Sequence, residues 1–324
     1  MSKPSALLTK LKSSFILAPL VGITTPTFRA LCQEFGASLT FIPMIDLNTL
    51  YYNNPKTLNM LESHYEEKKG LQLLFTRHTE KNLKDKIVYL KQILHQYQFP
   101  VVIDVHMGCS VRKILKSKGG AALLHNLPYA QKIVETLVDI FPFLPITAKI
   151  RLGVNTYKKK KLSGFIQTLE SAGLAGLTIH GRTARQNYSC PANWRAIAEI
   201  KEQLSIPVIA NGDITDKTYT EAIESTSCDL VMIGRGAIGD PHIFHRLTQL
   251  PTSIPPISKI EQISLLKKYL RLSTRNREAF VLQKKQALFF TRNFRGSAQV
   301  RRQIVNTKNL EELLNLIKQF ETRD

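Results

Sequence analysis

The chain has 324 residues, 43% hydrophobic and 22% charged, which is enough apolar side chain for a sizeable core and too much length for one minimal domain. It carries 45 Lys and Arg against 25 Asp and Glu, a net charge of +20 that favours a polyanionic partner, nucleic acid above all. Four widely spaced cysteines without a CxxC pair exclude a disulfide framework and a zinc site; no run of about 18 apolar residues is present to cross a membrane, the first fourteen residues lack the apolar core of a secretory signal, and a reducing cytoplasm fits.

Taken in order, short β-branched runs alternate with amphipathic stretches. Strands are expected at 15–20, 38–42, 70–75, 100–105, 146–152, 174–180, 206–210 and 229–233, with helices between them such as 27–34, 80–96, 129–138 and 193–203. Near-continuous apolar strands, each followed by a helix, describe a parallel sheet covered on its outer face. Eight such units in about 240 residues match the α/β class in its closed form, a (β/α)8 TIM barrel. A doubly wound open sheet is the competing fold, weakened because no GxGxxG follows the first strand. After a proline-rich joint over 246–257, marked by Pro251, Pro255 and Pro256, residues 258–324 show helical periodicity and no strand pattern. From Pro251 onward the chain holds 15 Lys or Arg against 6 Asp or Glu, with Arg292, Arg295, Arg301 and Arg302 grouped around Gly296. A small all-helical domain with a basic face is expected, following a barrel over 1–245. A lysine-rich composition alone would also raise the net charge, but the uneven distribution favours nucleic acid. The run from Lys158 to Lys161 reads as a solvated loop within reach of phosphates.

In a barrel the residues just past each strand collect around one mouth. Here those positions hold Ala18-Pro19, Gln72, His106-Met107-Gly108-Cys109, Lys149-Ile150-Arg151, His180-Gly181-Arg182, Asn211-Gly212-Asp213 and Gly234-Arg235-Gly236. Glycine turns after the seventh and eighth strands suit a phosphate held by backbone N–H groups, and Arg235 adds charge-assisted hydrogen bonds. Lys149, inside an apolar strand, either snorkels, pairs with Asp104 or Asp213, or meets an anionic ligand beside His180 and Arg182. Cys109 stands past a strand end after a glycine, which makes it a candidate acid or nucleophile, whereas Cys32 and Cys228 read as core thiols and Cys190 as a loop thiol.

These segments, together with Leu20-Val21-Gly22-Ile23-Thr24 and Phe28-Arg29, resemble the tRNA-dihydrouridine synthases, in family order from about residue 15 to 245. The tail, with Arg292-Asn293-Phe294 and Arg301-Arg302-Gln303-Ile304, is similar to that family's helical RNA-binding domain. The resemblance implies bound FMN, reduced by NADPH, which reduces the C5–C6 bond of a uridine in tRNA. It implies that Ala18, Pro19, Leu20, Gln72, Lys149 and His180 meet the flavin ring and ribityl regions, and that Asn211, Asp213, Gly234 and Arg235 hold the ribityl chain and phosphate. Cys109 would be the general acid that protonates C5. His106, Arg151, Arg182, Arg292, Arg295, Arg301 and Arg302 would face the substrate RNA. No metal, membrane or obligate protein partner is implied. The sequence departs from the family pattern at His106, where asparagine is usual, at Ser110, where proline is usual, and at Pro43 and Cys190. A catalytically impaired homologue that keeps its flavin and RNA sites, and an enzyme directed at rRNA, are the alternative readings.

Overall fold

Each of the eight expected strands forms, and the register decides which of their side chains face inward. The computed structural model describes residues 8, 11, 13–61, 68–97, 99–250, 252 and 255–322; Pro251 of the expected joint and most of the first fourteen residues lie outside these. The strands are β1 (Phe15–Leu17), β2 (Leu39–Asp46), β3 (Lys69–Leu74), β4 (Val102–Met107), β5 (Ile146–Arg151), β6 (Gly176–His180), β7 (Val208–Asn211) and β8 (Leu230–Ile233). All pair in parallel and in chain order, and β1 pairs with β8, so the sheet closes as a barrel. The open doubly wound alternative is thereby excluded.

β1 is shorter than its apolar run because the chain leaves the sheet after Ala18, whose N–H still donates to the Ile233 carbonyl. β2 is longer than expected: it continues past Ile42 through a register shift between Ile42 and Ile45. Pro43, which has no N–H to give a ladder, falls inside that irregularity.

Around the barrel, α1 (Pro26–Glu34), α2 (Leu83–Leu94), α3 (Leu127–Ile140), α4 (Lys159–Ser171), α5 (Trp194–Lys201), α6 (Tyr219–Thr226) and α7 (Ile243–Thr248) cover the outer face. One strand parity, including Leu73, Val105, Ile150 and Ile179, packs against them in the main core. The other parity points inward, and its lower part is apolar: Ile16, Leu39, Phe41, Val102, Ile209 and Leu230 fill the bottom, joined by Leu8 from outside the sheet. Gly70 is required there, because a Cβ would stand 2.3 Å from the Phe41 ring. Above that plug the interior turns polar. Gln72 Nε2 and Thr147 Oγ1 both donate to the buried Asp104 carboxylate at 2.8 Å.

Four helices follow: α8 (Lys259–Arg275), α9 (Phe280–Phe290), α10 (Ser297–Asn306) and α11 (Leu310–Glu321). A capping box between Ser258 and Glu261 starts α8. These helices share one apolar core with the barrel's first β/α unit, where Phe28 meets Phe290 edge to face at 6.4 Å between ring centres. Buried polar contacts reinforce that seam. Thr27 N–H donates to Glu278 at 2.8 Å, Asn276 Nδ2 donates to Thr27 Oγ1 at 2.8 Å, and Gln286 Nε2 donates to the Ile23 carbonyl at 2.6 Å.

α8 ends in a Schellman turn: Glu278 N–H donates to the Ser273 carbonyl and Arg277 N–H to that of Thr274. Its left-handed position, at φ 54°, is held by Arg277 rather than by glycine, which carries a backbone penalty on the order of 1 kcal/mol.

Candidate active site

Strand ends of β1 and β4–β8 enclose a cavity of about 620 Å³ at the carboxyl-terminal mouth, a size typical of cofactor sites. The register puts His106 beside Lys149, Arg151 beside His180, and His180 beside Asn211, so inward-facing polar side chains form one arc. Ala18, Pro19, Leu20, His106, Cys109, Lys149, Arg151, His180, Asn211, Asp213, Gly234 and Arg235 all line this cavity.

Lys149 is buried, and its Nζ donates to Asn211 Oδ1 at 2.8 Å; Asn211 Nδ2 donates in turn to the Met232 carbonyl at 2.8 Å. The alternative of an ion pair with Asp213 is not realised, because Asp213 is taken by Arg182 at 2.5 Å and Arg235 at 2.7 Å. Asp104 is occupied by Gln72 and Thr147. Burial, reinforced by the Arg151 charge, lowers the Lys149 pKa to about 7. Burial also raises Asp104 to about 6. Desolvation and the nearby cations Lys149 and Arg151 hold His106 at about 3 and His180 at about 2, so both rings are neutral. Their buried Nδ1 atoms find no hydrogen-bond partner among the described residues. A mouth lined by cations, with neutral imidazoles in its wall, is arranged for an anionic ligand.

Cys109 sits at the rim with its thiol mostly buried, and burial pushes its pKa up against the pull of the Val111 N–H and the Arg151 charge. The group is therefore a thiol at neutral pH, suited to giving a proton rather than to attacking. Arg151 holds the neighbouring backbone by donating from Nε to the Gly108 carbonyl at 2.9 Å and from Nη1 to the Thr183 carbonyl at 2.9 Å. On the other side Gly120, at φ 57°, lies so close that its Cβ would stand 2.7 Å from both the Cβ and the carbonyl oxygen of Cys109. Glycine is needed there for the chain to pass, a constraint that the sequence shows only as a Gly119-Gly120 pair.

Some expected positions lie elsewhere. Gln72 is buried one layer below the mouth against Asp104 and is absent from the cavity wall. Arg182 is 1% exposed, which corrects its assignment to the RNA surface. Its guanidinium ties the 185–192 loop together by donating to the Cys190 carbonyl at 2.6 Å and to Asp213. For Asp213, burial pushes upward, but the Arg182 hydrogen bond, the Ala192 N–H and the Arg235 charge outweigh it and hold the carboxyl low. Arg292 and Arg295 are exposed in the connection between α9 and α10, Arg302 is exposed on α10, and Arg301 on α10 is half-buried, its Nε donating to the Ser297 carbonyl; none lines the mouth. Tyr188 was not singled out by sequence. It borders the cavity, 58% exposed, and the Arg235 guanidinium lies 3.9 Å from its ring centre.

The family model described as dihydrouridine synthase matches residues 16–323. A probable tRNA-dihydrouridine synthase of Aquifex aeolicus is 28% identical over 323 residues, covering 97% of this chain and 98% of that one. The tRNA-dihydrouridine synthase B of Pasteurella multocida is 34% identical over 242 residues, covering 74% and 70%. An old yellow enzyme homologue from Zymomonas mobilis superposes with a TM-score of 0.54 at 13% identity, covering 76% of this chain and 91% of that one; this likeness is one of fold alone. With the family model spanning nearly the whole length and the mouth built from the strand ends that carry the resemblance, the chain belongs to the dihydrouridine synthase family.

Proposed function

We propose that this protein reduces a uridine of tRNA to 5,6-dihydrouridine, using bound FMN that NADPH reduces. The observation that carries the reading is the side-chain set of the mouth: Lys149, Arg151 and Arg235 line one cavity with the neutral imidazoles of His106 and His180. That set fits a flavin phosphate and the negative charge of a reduced flavin ring. Gly234, Arg235, Asn211 and Asp213 would hold the phosphate and ribityl chain, and Ala18, Pro19, Leu20, Lys149 and His180 the ring. Gln72 would act from beneath the ring.

A bound, reduced flavin would supply the hydride that adds to C6 of the uracil. Cys109 would give its proton to C5, for which burial keeps the thiol protonated at neutral pH. Such a positioned acid contributes roughly 10²–10⁴-fold. Lys149 keeps a cation beside the developing negative charge, and Arg151 fixes the Gly108–Cys109 backbone through its bond to the Gly108 carbonyl. Neutral His106 offers a hydrogen bond to the base. A stacked base has no access to the floor of the cavity, so the target uridine must be extruded, which is easiest in a loop. Residues 258–324, with Arg292, Arg295, Arg301 and Arg302, would grip the surrounding phosphates as an RNA-binding domain beside the catalytic barrel of 1–245. A tRNA substrate supports a cytoplasmic location.

The test is direct. The purified protein is expected to carry FMN, to bleach with NADPH, and to reoxidise on addition of unmodified tRNA with formation of dihydrouridine. Protein that stays colourless after incubation with FMN, or that reoxidises without forming dihydrouridine, refutes the reading.

A further inference from the structure

A second cavity, of about 590 Å³, lies beside the mouth and serves no role in the chemistry above. Its wall on the mouth side is the turn over 20–24: Leu20 faces the mouth, while Val21, Gly22 and Thr24 face the second cavity. That partition is well fixed. Thr24 Oγ1 accepts from the Leu20 N–H at 3.0 Å, and Gln286 on α9 donates to the Ile23 carbonyl at 2.6 Å. The far wall is the turn from α8 to α9, with Arg277, Val281 and Leu282, and Met60 and Lys56 close the side.

Three observations indicate what this cavity takes. First, its walls offer apolar surface to solvent: Val21 is 63% exposed and Val281 68% exposed, which suits the faces of a planar, weakly hydrated group. Second, its rim is cationic, with Lys56 and Arg277 both exposed, while its carboxylate, Glu278, is engaged by Thr27 N–H at 2.8 Å and Tyr269 OH at 2.7 Å. Arg277 occupies the left-handed position that glycine favours, at φ 54°, so the fold carries a side chain where backbone energy alone would have none. A guanidinium at such a rim can stack on a base or pair with a phosphate. Third, Lys285 Nζ lies over the partition, 3.0 Å from where a Cβ on Gly22 would stand. A turn is under roughly 7 Å across, comparable to one backbone step of an unstacked strand. The phosphate joining a base in the mouth to a base in the second cavity would therefore pass beneath Lys285.

We propose that the second cavity receives the nucleotide next to the target uridine, extruded together with it, with Lys285 on the phosphate between them. This rests on the reading of the mouth as a uridine-reducing site in RNA. A nicotinamide dinucleotide suits the cavity less well, because its ring must enter the mouth to reduce a flavin, and the partition separates the two spaces.

Three measurements on the full-length protein test it, with tRNA binding followed separately from turnover. Val281→Asp places a like charge against an incoming nucleotide at an exposed position. It is expected to weaken tRNA binding by about fivefold or more, the low end for one lost base contact, with flavin content and NADPH reduction unchanged. Arg277→Gly is expected to raise the melting temperature while weakening tRNA binding, two effects that a merely structural arginine would not combine. A tRNA transcript with an abasic position beside the target uridine is expected to bind wild type more weakly, with no further loss in Val281→Asp. Unchanged tRNA affinity in both variants overturns the proposal, as does slower NADPH reduction with unchanged tRNA affinity. Wild-type protein that forms no dihydrouridine would refute the proposed function instead, and the affinity difference between wild type and Val281→Asp would still decide the cavity.

Discussion

Replacing Lys149 by methionine removes a buried cation while keeping a side chain of similar length, and its consequence is measurable as a flavin potential. Burial and the Arg151 charge put the Lys149 pKa at about 7, against 10.5 in the unfolded chain. The folded protein thus binds fewer protons than the unfolded one between these values. With no anion at the site, the stability penalty of the buried charge is fully present below about pH 7 and is relieved as pH rises towards 10.5. A reduced, anionic flavin reverses this locally by holding the ammonium protonated. Above pH 7, reduction must therefore draw one additional proton from solvent. At pH 9, two units above the Lys149 value, that proton uptake corresponds to about 3 kcal/mol. For a two-electron couple each tenfold change is about 30 mV, so the bound-flavin midpoint should fall by about 60 mV more between pH 7 and 9 than an unassisted flavin would. Potentiometric titration with a reference dye across pH 6.5 to 9 reads the slope, which should be near 60 mV per unit in wild type and near 30 mV per unit in Lys149→Met. Equal slopes in the two proteins would refute a charge-responsive Lys149 beneath the flavin.

Other substitutions separate chemistry from architecture. Cys109→Ala should leave flavin content and its reduction by NADPH intact while lowering dihydrouridine formation by roughly 10²–10⁴-fold; undiminished product in a single-turnover assay would remove Cys109 as the acid. Gly120→Ala introduces a methyl group 2.7 Å from Cys109 at φ 57°, and a stability loss of about 1–3 kcal/mol is expected by urea titration, with turnover falling because the thiol is displaced. Arg182→Met strips Asp213 and the Cys190 carbonyl of their buried donor. It should lower stability by about 3 kcal/mol, and an unchanged melting temperature would contradict its structural assignment.

Much of this was legible in one dimension because the barrel's spatial order equals its chain order. Cys109, Lys149, His180, Asn211 and Arg235 could be assembled into a mouth simply by standing at or just past consecutive strand ends. The cavity wall itself includes neither Gln72 nor Arg182. Gln72 and Lys149 are each the fourth residue of a six-residue strand, but register sets Gln72 beside Asp104, one inward layer below His106 and Lys149, which proximity in sequence does not show. Arg182 follows His180 by two residues, yet the 185–192 loop folds over it and removes it from the surface. The helix expected over 80–96 begins at Leu83 because Asn82 takes a left-handed conformation, a local choice that hydrophobic periodicity does not register.

The sequence by itself determined the alternation of strand and helix, the polar ends of those strands, the basic tail and the family, since each is a property of residues close together along the chain. Tertiary structure alone decided which polar residues reach the cavity, how far burial moves Lys149 and the two histidines, and that the turn over 20–24 divides two cavities. Those features depend on strand register and on contacts as distant in sequence as Ile23 and Gln286, where closure of the barrel and docking of the last helices set both distance and solvation.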